Sequence, residues 1–229
     1  PDNAAYDAII HLGTFAALFL FFFNDIAIYI KAFFLSFRRF DFRDTNQRIS
    51  YYIVFATVPS AIFLYYFEDP IEHYFRNSLT VSFMLIIFGI ILYIIDQKSR
   101  QEREIRDMNF IGALFIGCFQ VLALIPGVSR SGITIIAGLS QKLKRQAAAR
   151  FSFLLGIPIT LGAGIKKLFD VGSFQIHELV FLIIGFLSSG ITGFFCIKYF
   201  LRFLGSHSMK GFSIYRIFLG IIILVSILL

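Results

Sequence analysis

Short charged loops divide this chain into a succession of uncharged or nearly uncharged apolar runs, several of them long enough for a helix to cross about 30 Å of hydrocarbon. That pattern leaves few folds open. With 58% hydrophobic residues and a mean hydropathy of +0.79, a soluble surface is excluded, and the expected class is an all-α, polytopic membrane protein. The chain reads as one transmembrane domain over residues 1–229, with about six membrane-spanning helices.

The first run, Ala8 to Phe23, carries only His11. From Asn24 to Phe37, Asp25 and Lys31 interrupt apolar residues at helical spacing, which predicts an interfacial amphipathic continuation. A basic loop with Arg38, Arg39, Arg43 and Arg48 follows, then a run from Ile49 to Phe67 with Pro59 in its middle. The next loop, Glu68 to Arg76, is acidic. A third run, Ser78 to Ile95, ends at Asp96, and the loop after it carries Lys98, Arg100, Arg103 and Arg106. The distribution of Lys and Arg places the first and third loops in the cytoplasm, and the second loop and Pro1 outside. The net charge of +7 thus expresses topology and contact with lipid headgroups; no basic stripe points to nucleic acid.

Met108 to Ile125 is apolar, but Ile133 to Gln141 is too short to span alone. If the first of these crossed fully, the basic cluster Lys142, Lys144, Arg145 and Arg150 would fall outside. A re-entrant helical hairpin over 108–141, with its tip at Ser129 to Ser131, keeps that cluster inside. Non-helical backbone at such depth survives only when protein encloses it or it lines a wet cavity. Spans at Phe151 to Ile165 (with Pro158), Leu179 to Ile197 and Ile217 to Leu229 follow, rich in small residues suited to close helix packing. The second half, 108–229, therefore reads hairpin, span, span, span, whereas 1–107 reads span, span, span. His11-Leu-Gly-Thr14 loosely echoes Thr160-Leu-Gly-Ala163. An inverted repeat is expected, and with it a hairpin preceding Pro1, which would make the chain a fragment.

The tip carries the chemistry. Leu124 to Thr134 sets Arg130, three hydroxyls and two glycines between apolar segments, and an arginine near the bilayer centre costs about 2.5 kcal/mol or more. Gly127 and Gly132 allow a tight turn, and Ser131 is placed to cap a helix beginning near Ile133. The amides of Gly132, Ile133 and Thr134 would then face an anion, with Arg130 adding a planar fork of donors matched to phosphate oxygens. Ser129, Ser131 and Thr134 can donate as well, and one hydroxyl could attack phosphorus if a base stood nearby. Two other readings stay open: Arg130 pairs with an acid such as Asp96, or it forms an ion-conducting constriction. No Walker-type motif is present. Gln120 is a candidate second donor. Cys118 and Cys196 lie in apolar runs and define neither a disulfide scaffold nor a metal cluster. His11 faces an apolar helix, and His73, His177 and His207 are expected in solvated loops.

Pro126-Gly-Val-Ser-Arg-Ser-Gly-Ile-Thr134, preceded by Gly117-Cys-Phe-Gln-Val-Leu-Ala-Leu124 and followed by Ala148-Ala-Arg-Phe-Ser-Phe-Leu-Leu155, resembles the undecaprenyl-diphosphate phosphatase family of the bacitracin-resistance type. Tyr6-Asp-Ala-Ile-Ile-His-Leu-Gly-Thr14, Thr57-Val-Pro-Ser60 and Ser213-Ile-Tyr-Arg216 extend the likeness over nearly the whole chain. The resemblance implies hydrolysis of undecaprenyl diphosphate to undecaprenyl phosphate and inorganic phosphate. This recycles the lipid carrier for peptidoglycan synthesis in a bacterial inner (plasma) membrane, with a divalent cation (Mg2+ or Ca2+) assisting. On this reading Ser129, Arg130, Ser131 and Thr134 match the catalytic motif, while Gly127, Gly132, Gln120 and Arg216 serve binding. Phe19, Phe21, Phe22, Phe23, Phe194 and Phe195 are candidates to line a path for the prenyl tail. The family's second loop, with a Glu/Gln-x-x-x-Glu motif and a Ser-Ser-x-Gly-His segment, is expected upstream of Pro1, where the metal-binding carboxylates would lie. The expected partners are the polyprenyl diphosphate, membrane lipids and a second copy in a homodimer. A transporter or flippase for an anionic lipid or solute is the competing function.

Overall fold

The computed structural model describes residues 3–169 and 179–228; His177 lies outside the described residues, as do the side chains of Glu68, Asp69, Glu72 and His73. Helices α1 (Asn3–Phe21), α2 (Phe23–Ser36), α3 (Thr45–Phe75) and α4 (Ser78–Lys98) make the first part. Helices α5 (Phe110–Gln120), α6 (Arg130–Ser140), α7 (Arg145–Phe169), α8 (Leu179–Leu204) and α9 (Lys210–Leu228) make the second. Five are long and apolar enough to cross a membrane, or six when α1 and α2 count as one broken span. The fold is an all-α polytopic membrane protein.

Chain direction changes by 78° between α1 and α2. The corner residue, Phe22, is fully buried, and the Arg150 guanidinium lies 5.6 Å from its ring centroid. Arg150 also donates from Nη2 to both Asp25 carboxylate oxygens at 2.7 Å, which holds the start of α2 against α7. Beyond the corner, Ala32 and Ser36 are buried, while Ile28, Ile30, Phe34 and Leu35 are exposed together with Lys31, so the outward surface of α2 is largely apolar and not the polar face expected of an interfacial segment. One boundary differs from expectation. Helix α3 does not end at Phe67 but continues to Phe75 through Pro70, because charge at Glu68 marks where the chain leaves hydrocarbon, not where helical hydrogen bonding becomes unfavourable.

The hairpin is present as α5, a 3-10 turn at Val121–Leu124 and α6. Its return is fixed by backbone pairing: the Arg103 amide donates to the Lys142 carbonyl at 3.0 Å, and the Lys144 amide donates to the Arg103 carbonyl at 2.9 Å. The Arg48 side chain reaches the Arg106 carbonyl at 3.1 Å. The three basic segments therefore meet on one face, as the re-entrant reading requires. Ile133 to Leu139 are all buried, so α6 fills the space among α4, α5 and α7.

Asp96 fastens that face. Its side chain is fully buried, and its carboxylate accepts from Arg145 Nε at 2.6 Å, Arg145 Nη2 at 3.1 Å and the Met209 amide at 3.1 Å. One carboxylate thus joins the end of α4, the start of α7 and the entry to α9. Small residues set the closest helix contacts. Gly13 meets Ser189 and the Phe186 carbonyl between α1 and α8, and Gly220 meets the Ser82 carbonyl between α9 and α4.

Candidate functional site

Helix α6 begins at Arg130, and its N-cap is Ser129, whose Oγ accepts from the Gly132 amide at 3.2 Å. The cap is therefore not Ser131. Ser129 takes φ 50° and ψ 110°, which swings its hydroxyl over the third amide of the helix. Such a backbone conformation costs a non-glycine residue about 1–3 kcal/mol and persists only where its surroundings hold it. The shifted start also moves the anion-facing amides. Ile133 donates to the Ser129 carbonyl at 3.0 Å, so the first-turn amides without an intrahelical acceptor are those of Arg130 and Ser131.

Arg130 does not pair with Asp96, which is committed to Arg145. Its Nη1 donates to the Thr160 hydroxyl at 2.6 Å and to the Gly156 carbonyl at 3.2 Å, both on α7. Among the described residues no carboxylate reaches this guanidinium. Its charge is held by neutral oxygens, and the Nε and Nη2 edge makes no hydrogen bond to the described residues. Gly156 makes room for it: a Cβ there would stand 3.2 Å from Nη2 and 3.3 Å from Cζ.

Arg216, on α9, donates from Nη2 to the Gly127 carbonyl at 2.8 Å, and its Nε is buried without a partner. Gly127 has φ +94°, and a Cβ there would lie 2.8 Å from the Val81 carbonyl, so only glycine fits where the tip lies against α4. Gly132 leaves space on the other side, where a Cβ would come 3.1 Å from Ser129 Oγ and 3.5 Å from Arg216 Nη1. The tip is thus anchored to α4, α7 and α9 together.

A cavity of about 1020 Å³ opens at the tip. Ser129, Arg130, Ser131, Gly132, Ser152 and Arg216 form its polar end, and Leu18, Phe153, Phe200, Phe203 and Phe212 stand among the apolar residues of the remaining wall. Of the six phenylalanines expected along a tail path, Phe195 alone lines the cavity. Phe22 is core, and Phe21 stacks edge-on with Phe194. Three site candidates sit off the cavity, Gly127 at the turn already described and two others. Thr134 is buried, its hydroxyl 2.6 Å from that of Ser152, so it pins α6 to α7. Gln120 donates to Ser60 Oγ at 2.6 Å, tying α5 to α3. Sequence reasoning missed Thr160, Gly156 and Ser152, which are ordinary residues of an apolar span until α6 is laid against them.

No group of three or more His, Cys, Asp or Glu among the described residues could hold a metal ion. The polar end of the cavity offers hydroxyls and two cations, a donor set that repels a divalent cation and suits an anion.

A helical membrane protein that sets two arginines, with no carboxylate partner among the described residues, at the head of an apolar cavity is built to hold an anionic, lipid-like molecule. The chain belongs to the bacitracin resistance protein BacA family, whose model matches residues 1–222. It is 37% identical over 226 residues to an undecaprenyl-diphosphatase of Thermobifida fusca, covering 98% of this chain and 77% of that protein. Similar proteins of the same description occur in Mycolicibacterium smegmatis, 38% identical over 97% of this chain and 82% of the relative, and in Teredinibacter turnerae, 38% identical over 99% and 86%.

Proposed function

We propose that the chain acts as an undecaprenyl-diphosphatase, releasing inorganic phosphate and returning undecaprenyl phosphate to cell-wall synthesis, with bacitracin resistance as a consequence. The observation that carries this reading is the union of an anion site at Arg130 with an apolar cavity wall. A diphosphate head fits the first and a polyprenyl tail the second. Arg130 steadies the charge that develops on the phosphoryl oxygens, a task for a preorganised donor in a water-poor site. Arg216 and the Arg130 and Ser131 amides supply further donors, and Ser129 and Ser131, both on the cavity wall, are the hydroxyls placed to meet phosphorus. Thr134 holds Ser152 and α6 in register behind them, and Gln120 supports the hairpin from the α3 side.

A divalent cation would neutralise diphosphate charge; among the described residues no group of three or more His, Cys, Asp or Glu stands ready to hold one. The site of action is the bacterial plasma membrane, and a homodimer is the proposed assembly. The test is phosphate release from a polyprenyl diphosphate in detergent, at the protein's natural length, comparing wild type with Arg130→Ala. A loss of about 100-fold or more with membrane insertion intact is expected. Activity within about threefold of wild type would remove Arg130 from this role, and substrate binding with no phosphate release in either protein would favour a carrier.

A further inference from the structure

We infer that Thr160 is the positioning residue for Arg130, setting the direction in which the guanidinium presents its free edge; this rests on the phosphate-site reading above. Thr160 is 6% exposed, so its hydroxyl works against protein and not solvent. Every atom of the contact has a defined role. Thr160 Oγ1 donates its one proton to the Gly156 carbonyl at 2.7 Å, which turns a lone pair toward Arg130 Nη1 at 2.6 Å. Nη1 also reaches the Gly156 carbonyl at 3.2 Å, so two adjacent oxygens, from residues one helical turn apart on α7, hold one corner of the fork. The guanidinium occupies space that Gly156 leaves open, since a Cβ there would stand 3.3 Å from Cζ. With Nη1 tied by two acceptors, the Nε and Nη2 edge is the one left to take two phosphate oxygens side by side.

Both acceptors are neutral. A carboxylate at position 160 would position the fork equally well but would compensate its charge, whereas a hydroxyl fixes geometry and leaves the charge for the ligand. Thr160 touches neither the cavity nor the reacting atoms, so it acts through Arg130 alone.

That dependence is testable by a double-mutant cycle on the natural-length protein, reading steady-state phosphate release from a polyprenyl diphosphate. Thr160→Val keeps the side-chain shape and removes the acceptor; it is expected to lower kcat/KM about 10- to 100-fold, the range for losing a hydrogen bond to a charged group, with kcat carrying most of the loss. Thr160→Ser, which restores the hydroxyl, should recover activity to within about threefold. In an Arg130→Ala background, Thr160→Val should change nothing further, because the group it positions is gone. Thr160→Ala removes the same acceptor without added bulk and repeats the cycle should valine fail to fold. An undiminished kcat/KM in Thr160→Val, or the same loss with and without Arg130, would overturn the inference, the second outcome marking a general structural role. If Arg130→Ala itself keeps full activity, the phosphate-site reading falls first and Thr160 with it.

Discussion

Removing the Asp96 carboxylate should destabilise the protein by about 4 kcal/mol. The figure follows from what that group holds. Asp96→Ala leaves the Arg145 guanidinium without its counter-charge, and breaking a buried pair from one side costs about 3–5 kcal/mol. It also strips the acceptor from the buried Met209 amide, a loss of about 1–3 kcal/mol. The two do not add in full, because the Arg145 side chain is 23% exposed and can turn toward water. Equilibrium unfolding in mixed detergent micelles, followed by far-UV circular dichroism, measures the difference. Asp96→Asn retains an acceptor for Met209 and should fall between wild type and Asp96→Ala. Replacing both partners, Asp96→Leu with Arg145→Met, should recover most of the loss, since paired apolar groups of similar volume often match a buried ion pair. A loss below about 1 kcal/mol in Asp96→Ala would refute the reasoning, because it would equate this pair with an exposed surface bridge.

Two glycine substitutions probe the hairpin. Gly117→Ala places a Cβ onto the Ala56 backbone, which cannot rotate away, so α5 must separate from α3; a loss of about 1–3 kcal/mol is expected in the same unfolding assay. Gly127→Ala combines a positive φ with a contact to the Val81 carbonyl, and should lower both stability, by about 1–3 kcal/mol, and phosphate release, since the Arg216 contact to the tip depends on that turn.

The hairpin was legible in the sequence because charge parity at Lys142 to Arg150 permits one topology. The place of Arg130 at the hairpin tip was legible because the charged residue interrupts two apolar segments. The register of the tip was not. Ser129 and Ser131 are equally good caps by residue type, and the choice rests on a strained backbone angle that no local pattern encodes. Nor was the partner of Arg130 readable: Asp96 is the stronger electrostatic candidate, but its carboxylate is held by Arg145, a few residues past the hairpin. Thr160 lies 30 residues from the arginine it contacts and reads as one more helical threonine. The extension of α3 past Glu68 was hidden for a different reason. Hydropathy reports where lipid ends, and a helix has no need to stop there.

The neutral cradle around Arg130 also bears on how the site is filled. A guanidinium with no carboxylate partner among the described residues attracts any anion that reaches a hydrated cavity. Attraction of that kind does not by itself tell a lipid diphosphate from a free anion. The apolar wall supplies the discrimination that charge alone cannot, because cellular anions share the phosphate's sign and lack its tail.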